Sequence, residues 1–145
     1  MQNLIIISAP ALWIAYSIIE GIEDGYLYAY RDSGDKGYNK DLHPLFTVQR
    51  GAVLLMAYIA FIPVSTWYFA IIPLLAFAFV FPIIHDGFYY WQRHWIDETV
   101  YPHGFVTDGN TSTAKFSIES PIIRYFFALA GCVIYGVFIY LTTLS

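Results

Sequence analysis

Two short segments carry the side chains that could do chemistry. Asp24, Tyr28 and Arg31 stand at i, i+4 and i+7, and Asp86, Tyr90 and Arg93 repeat that spacing. On an α-helix such positions share a face, so each segment sets an acid, a phenol and a guanidinium in a row. Glu20 lies one turn before Asp24 and Glu23 beside it, so three carboxylates crowd a single stretch. In apolar surroundings they need a counterion, a shared proton or a metal. The side chains able to answer them are Arg50, Arg124, His43 and His85. The candidate ligand-binding set is therefore Glu20, Asp24, Arg50, His85, Asp86, Arg93 and Arg124.

Within that set, Glu20, Asp24, His85 and Asp86 are the ligand types from which helical bundles build di-iron centres. The Glu-x-x-His spacing of such centres is absent, because Glu20 meets Glu23 three residues on and His85 is followed by Asp86. A bis-histidine haem would need two imidazoles in the apolar region, and only His85 is close. The cofactor is therefore left unknown by the sequence, with Glu20, Asp24, His85 and Asp86 as the candidate metal ligands. His43, His94 and His103 read as polar loop or interface residues, and there is no glycine-rich phosphate loop. The competing reading of the whole set is a network of ion pairs between helices.

The elements that must position these residues are membrane helices. The chain of 145 residues is 58% hydrophobic and 12% charged, whereas a soluble domain carries about a quarter charged residues. Aromatics reach 20%, as expected of the belts where amphipathic rings meet lipid headgroups. The length fits one domain. Four spans are expected in a single membrane domain, at residues 4–30, 44–62, 67–95 and 121–142. Each is of the order of the ~20 residues that cross a bilayer core. The first has no basic residue before it and no small-residue cleavage site after it, so it reads as a retained helix. Residues 31–42 (RDSGDKGYNKDL) are polar and glycine-rich, hence a loop. Pro44 and Pro121 suit first helical turns, with Ser120 as an N-cap. The fold class expected is an all-α integral membrane protein, an up-down bundle of two helical hairpins.

The seven basic residues are Arg31, Lys36, Lys40, Arg50, Arg93, Lys115 and Arg124. All fall in or beside the first and third connections. The positive-inside rule places those connections in the cytoplasm and both termini outside. The two chemistry-bearing segments also align as Ile22-Glu23-Asp24-Gly25 and Ile84-His85-Asp86-Gly87, each followed by a loop, a Pro-initiated helix and an arginine. They read either as an internal duplication about an axis along the membrane normal or as a coincidence of two aromatic-rich helix ends. Small residues at four-residue spacing, Ala11 and Ala15 early and Ala128, Cys132 and Gly136 late, are expected to face neighbouring helices. A buried Cys132 implies no thiol chemistry.

Three functions remain open: a membrane protein with a cytoplasm-facing polar pocket for a ligand or metal, a structural or accessory subunit of a membrane complex, and a small oligomeric transporter or proton carrier. The partners expected are the lipid bilayer and either a second copy or another membrane subunit. Nothing in the small net charge of −4 points to nucleic acid. Residues 99–119 are too aromatic for a tether and are expected to fold back over the Asp24/Asp86 region. In inside-out vesicles Lys115 should then resist added protease, and rapid native-state cleavage there would contradict that cover.

Overall fold

A computed structural model of the chain describes residues 2–32, 43–101, 105, 118 and 120–143. It is all-helical, with α1 (Gln2–Asp32), α2 (His43–Phe61), α3 (Ile71–Ile96) and α4 (Pro121–Thr143). Three of these, α1, α3 and α4, are long and apolar enough to cross a membrane. The apolar described part of α2, Thr47–Phe61, is shorter. The third helix starts at Ile71 rather than 67. The Thr66 carbonyl accepts from the amides of Phe69 and Ala70, both at 3.0 Å, which closes a tight turn before the helix. Beyond α3, the Asp97 carboxylate accepts from the Thr99 hydroxyl (2.6 Å) and from the amides of Thr99 and Val100. These hydrogen bonds hold its carboxyl below the ordinary aspartate value, the Thr99 side chain contributing most.

The packing is centred on α3. Both α1 and α4 lie along it, and α2 touches α1 and α3 at few points. The expected first hairpin is thus loose, because α1's closest neighbour is α3. Glycines explain the choice. A Cβ on Gly21 would collide with the His85 carbonyl oxygen, and one on Gly25 would lie 2.6 Å from the Tyr89 carbonyl. Without side chains at these two positions, the α1 backbone settles against that of α3 in parallel. Small-xxx-small spacing permits such approach inside a membrane. On the other side, Gly131 of α4 faces the Ala76 carbonyl, where a Cβ would come within 2.7 Å. Of the small residues expected to do this work, Ala11, Ala15 and Cys132 are exposed, Gly136 faces open space, and Ala128 alone is half-buried. Glycine's missing Cβ, rather than small size in general, decides which faces meet.

The core away from the charged residues is aromatic. Trp13 stacks on Phe77 at 5.5 Å and 15°, and Phe61 meets Phe138 edge-on at 5.5 Å. Pro10 sits inside α1 and offers no N–H to the carbonyl four residues back. That carbonyl, of Ile6, accepts instead from the Tyr135 hydroxyl of α4 at 2.6 Å, the kind of repair that apolar surroundings demand.

Gly21→Ala should cost about 1–3 kcal/mol, because the new methyl meets the His85 backbone, which cannot swing aside as a side chain can, and the helices must part. Gly136→Ala should be neutral or slightly stabilising, as alanine favours a helix. Parallel unfolding titrations of the two variants in mixed detergent micelles check this.

Candidate functional site

The fold brings six of the seven candidate residues into one continuous chain of contacts that draws on every helix. Glu20 Oε1 accepts from Arg50 Nε at 2.6 Å, and Arg50 Nη2 reaches Asp24 Oδ2 at 3.4 Å. The same Asp24 oxygen lies 3.0 Å from His85 Nε2. The other ring nitrogen, Nδ1, lies 2.9 Å from Asp86 Oδ1. Asp86 Oδ2 then pairs with Arg124 Nη2 at 3.3 Å. Glu20 and Asp24 come from α1, Arg50 from α2, His85 and Asp86 from α3, and Arg124 from α4.

Local sequence explains each placement. Glu20 and Asp24 flank Gly21 and precede Gly25, so they sit at the line where α1 meets α3. His85 is opposite Gly21, which leaves room for its backbone. Its ring stacks between Phe81 (4.8 Å) and Tyr89 (6.5 Å), each nearly parallel to it. Arg50 lies over the Phe81 ring at 5.1 Å and Arg124 over Tyr90 at 5.6 Å. Glu20, Asp24, His85 and Arg124 are buried, while the side chains of Arg50 and Asp86 keep 34% and 28% of their exposure. Each terminal pair of the chain of contacts therefore has one buried and one part-exposed member.

The electrostatics turn on one proton. Three carboxylates face two guanidiniums, which leaves one negative charge in a region where uncompensated charge is costly. Glu20 and Arg50 form the shortest pair, and Asp86 and Arg124 form another. Asp24 and His85 remain as the residual acid and base. Carboxylate oxygens only accept hydrogen bonds when ionised, yet both His85 nitrogens face them. With a neutral imidazole one of the two nitrogens faces a carboxylate with no proton between them, although Nε2 also lies 3.4 Å from Arg50 Nη2; one further proton on the Asp24–His85–Asp86 row satisfies both carboxylate contacts and balances these three carboxylates and two guanidiniums.

Arg93 is placed elsewhere. It is buried, donates to the Tyr89 hydroxyl at 2.6 Å and lies over the Tyr101 ring at 4.0 Å, so its described partners belong to the far end of α3. His94 Nδ1 contacts the Tyr101 carbonyl at 2.8 Å, a tie to the segment after the helix. The side chains of Arg31 and His43, and residues Lys36, Lys40, His103 and Lys115, lie outside the described residues. Beyond Tyr101, two points of the long connection are described, Phe105 and Ile118, and both meet this end of the bundle. Phe105 packs edge-on to Phe88 at 5.4 Å and fills the space over Gly87. The Ile118 carbonyl accepts from Arg124 Nε at 2.7 Å.

The metal reading of Glu20, Asp24, His85 and Asp86 finds no support. Among the described residues no group of three or more His, Cys, Asp or Glu side chains is arranged to hold an ion, and nitrogens already face the inner carboxylate oxygens. Sequence reasoning passed over Tyr16, one turn before Glu20. Its hydroxyl feels the Glu20 carboxylate without completing a hydrogen bond to it. Glu20 Oε2 and Asp24 Oδ1 are likewise buried without a partner. The i−4 spacing from Glu20 was the available signal. No protein-family model matches the chain, and no curated protein or solved structure matches it either.

Arg124→Met should destabilise the protein by about 3 kcal/mol or more, since removing one partner leaves the Asp86 charge without its guanidinium. Adding Asp86→Asn should recover most of the loss. A double-mutant cycle on detergent unfolding measures the coupling.

Proposed function

We propose that this chain is a four-span integral membrane protein whose chemical centre is an exchangeable proton held by Asp24, His85 and Asp86. The reading is that of a small proton carrier or proton-coupled transporter. One observation carries it: each ring nitrogen of His85 faces a carboxylate, within helices of membrane-spanning character. Intramembrane acid and histidine rows are the usual material of proton relays. At about 1.5 Å per residue the 19 residues of α2 come to about 28 Å. That is close to the hydrocarbon thickness and supports a fourth span. The positive-inside rule, applied to the basic residues, supports an orientation with both long connections in the cytoplasm and both termini outside. Exposed Tyr26, Trp91, Trp95 and Tyr125 at one end, and Trp67, Tyr68 and Tyr140 at the other, suit two aromatic belts.

An internal duplication fits the same picture. Each half contributes one Asp–Arg pair, Asp24 with Arg50 and Asp86 with Arg124. In the alignment of the halves His85 stands where the first has the exposed Glu23. A duplicated pair of ion pairs, with histidine substituted at one copy, would yield a single titrating centre between them.

A second reading has a specific observation in its favour. Nearly every charge in the centre is matched by another from a different helix, which suits a structural or accessory subunit whose ion pairs only fix the bundle. The two readings differ in proton count. Asp24→Asn removes one negative charge and leaves the rest balanced. On the proton reading it should abolish uptake of one proton per chain on acidification, and the accompanying flux into vesicles, while helicity is kept. On the structural reading the uptake difference between wild type and variant is absent. Stability supplies a further sign: His85→Asn leaves one uncompensated charge and should destabilise, and Asp24→Asn added to it should restore stability. Potentiometric titration of the purified protein beside a pH-sensitive dye trapped in proteoliposomes reads both quantities.

A further inference from the structure

Two polar groups in the middle of α1 are committed. The Ser17 hydroxyl donates to the Trp13 carbonyl at 2.8 Å, and the Trp13 indole N–H donates to the Phe77 carbonyl at 3.1 Å. Three oxygens beside them stand apart. The Tyr16 hydroxyl, Glu20 Oε2 and Asp24 Oδ1 are buried and have no partner among the described residues. A buried polar atom left so is costly, and native structures satisfy nearly all of them through protein or ordered water. The three residues follow one another at four-residue spacing, so they share a face of α1 and cover about 12 Å of its length. Glu20 and Asp24 are only 2% and 6% exposed.

The counter-charge on that face serves two acids at once. Arg50 Nε lies 2.6 Å from Glu20 Oε1, and Nη2 lies 3.4 Å from Asp24 Oδ2. A proton moved from Asp24 to Glu20 therefore leaves the guanidinium facing one carboxylate and one acid, as before. The other ionisable groups in the row are His85 and Asp86 of α3 and Arg124 of α4, linked in that order beyond Asp24. The Asp86 side chain keeps 28% of its exposure, so the row opens at the end with the long connections. At the other end the Tyr16 ring lies 5.5 Å from that of Trp13, where the aromatic core begins.

We propose that the proton of the His85 centre moves on along α1 from Asp24 to Glu20, through one water molecule hydrogen-bonded to Asp24 Oδ1, Glu20 Oε2 and the Tyr16 hydroxyl. Asp24 Oδ2 takes the proton from His85 Nε2, and a half-turn of the carboxyl brings it to the free side. The water accepts that proton and passes one of its own to Glu20 Oε2. Asp24 is again a carboxylate, Glu20 is an acid, and the net charge is unchanged. Tyr16 keeps its own proton and only orients the water, so it is a positioning residue. A buried water needs two to four polar partners, and these three oxygens supply them. The inference rests on the proton reading of the centre and adds a direction of travel, away from the long connections and toward Trp13.

The experiment separates the route from the centre. In proteoliposomes with a trapped pH-sensitive dye, Tyr16→Phe should lower proton flux about a hundredfold, the lower end of what a well-placed proton transfer contributes. Potentiometric uptake of one proton per chain on acidification should persist in that variant, and its unfolding in detergent should match the wild type. Tyr58 donates its hydroxyl to the Trp67 carbonyl, remote from the row, so Tyr58→Phe should keep the wild-type flux. Full flux in Tyr16→Phe overturns the route, and so does loss of the one-proton uptake together with the flux. A wild type that takes up the proton without flux overturns the route and leaves the centre's proton standing. A wild type with no uptake overturns the proton reading itself, and the route with it.

Discussion

The contact of α1 with α3 through Gly21 and Gly25 governs the rest of the molecule. Two missing side chains let the α1 backbone reach the carbonyls of His85 and Tyr89. Only at that separation can a short aspartate on α1 span to a histidine ring on α3 at 3.0 Å. A leucine-lined interface keeps helix axes about 8–10 Å apart, and the wider it is, the less an Asp side chain can bridge it. Close packing and the charged centre are therefore one feature. The glycines bring the acids to the imidazole, and the ionic contacts in turn hold together two helices that otherwise gain little from excluding lipid.

Much of this organisation was legible in the chain. Apolar runs marked four helices to within a few residues, and the positions that break those runs, Glu20, Asp24, His85 and Asp86, are the ones that meet. Arg50 and Arg124 were identifiable as counter-charges because few others exist. Helix adjacency was not legible. Adjacency in sequence suggested α1 against α2, yet composition along α2 contains no glycine pair at four-residue spacing to compete with the one in α1. The Gly21-x-x-x-Gly25 spacing was visible but lay inside a polar stretch that drew attention for its carboxylates. Arg93 shows the opposite error. Its type and spacing matched the acids on its own helix face, and only the three-dimensional path reveals Tyr89 and Tyr101 as its described neighbours.

The two ends of the bundle are held by different physics. At the end with the long connections, opposite charges from four helices pair with one another, and Arg50 is the one described group of α2 that takes part. At the other end Phe61, the last residue of α2, wedges between Phe77 and Phe138. Helix α2 is thus held through Arg50 and Phe61, and it touches α1 and α3 at few points. The aromatic end has its own polar detail in Pro10, Ile6 and Tyr135. A proline in α1 frees one carbonyl, and in apolar surroundings an orphaned carbonyl costs several kcal/mol. The Tyr135 hydroxyl answers it and thereby ties the start of α1 to the latter half of α4. Among the described residues α1 and α4 each pack mainly on α3, and that hydrogen bond joins the two directly beside the aromatic core.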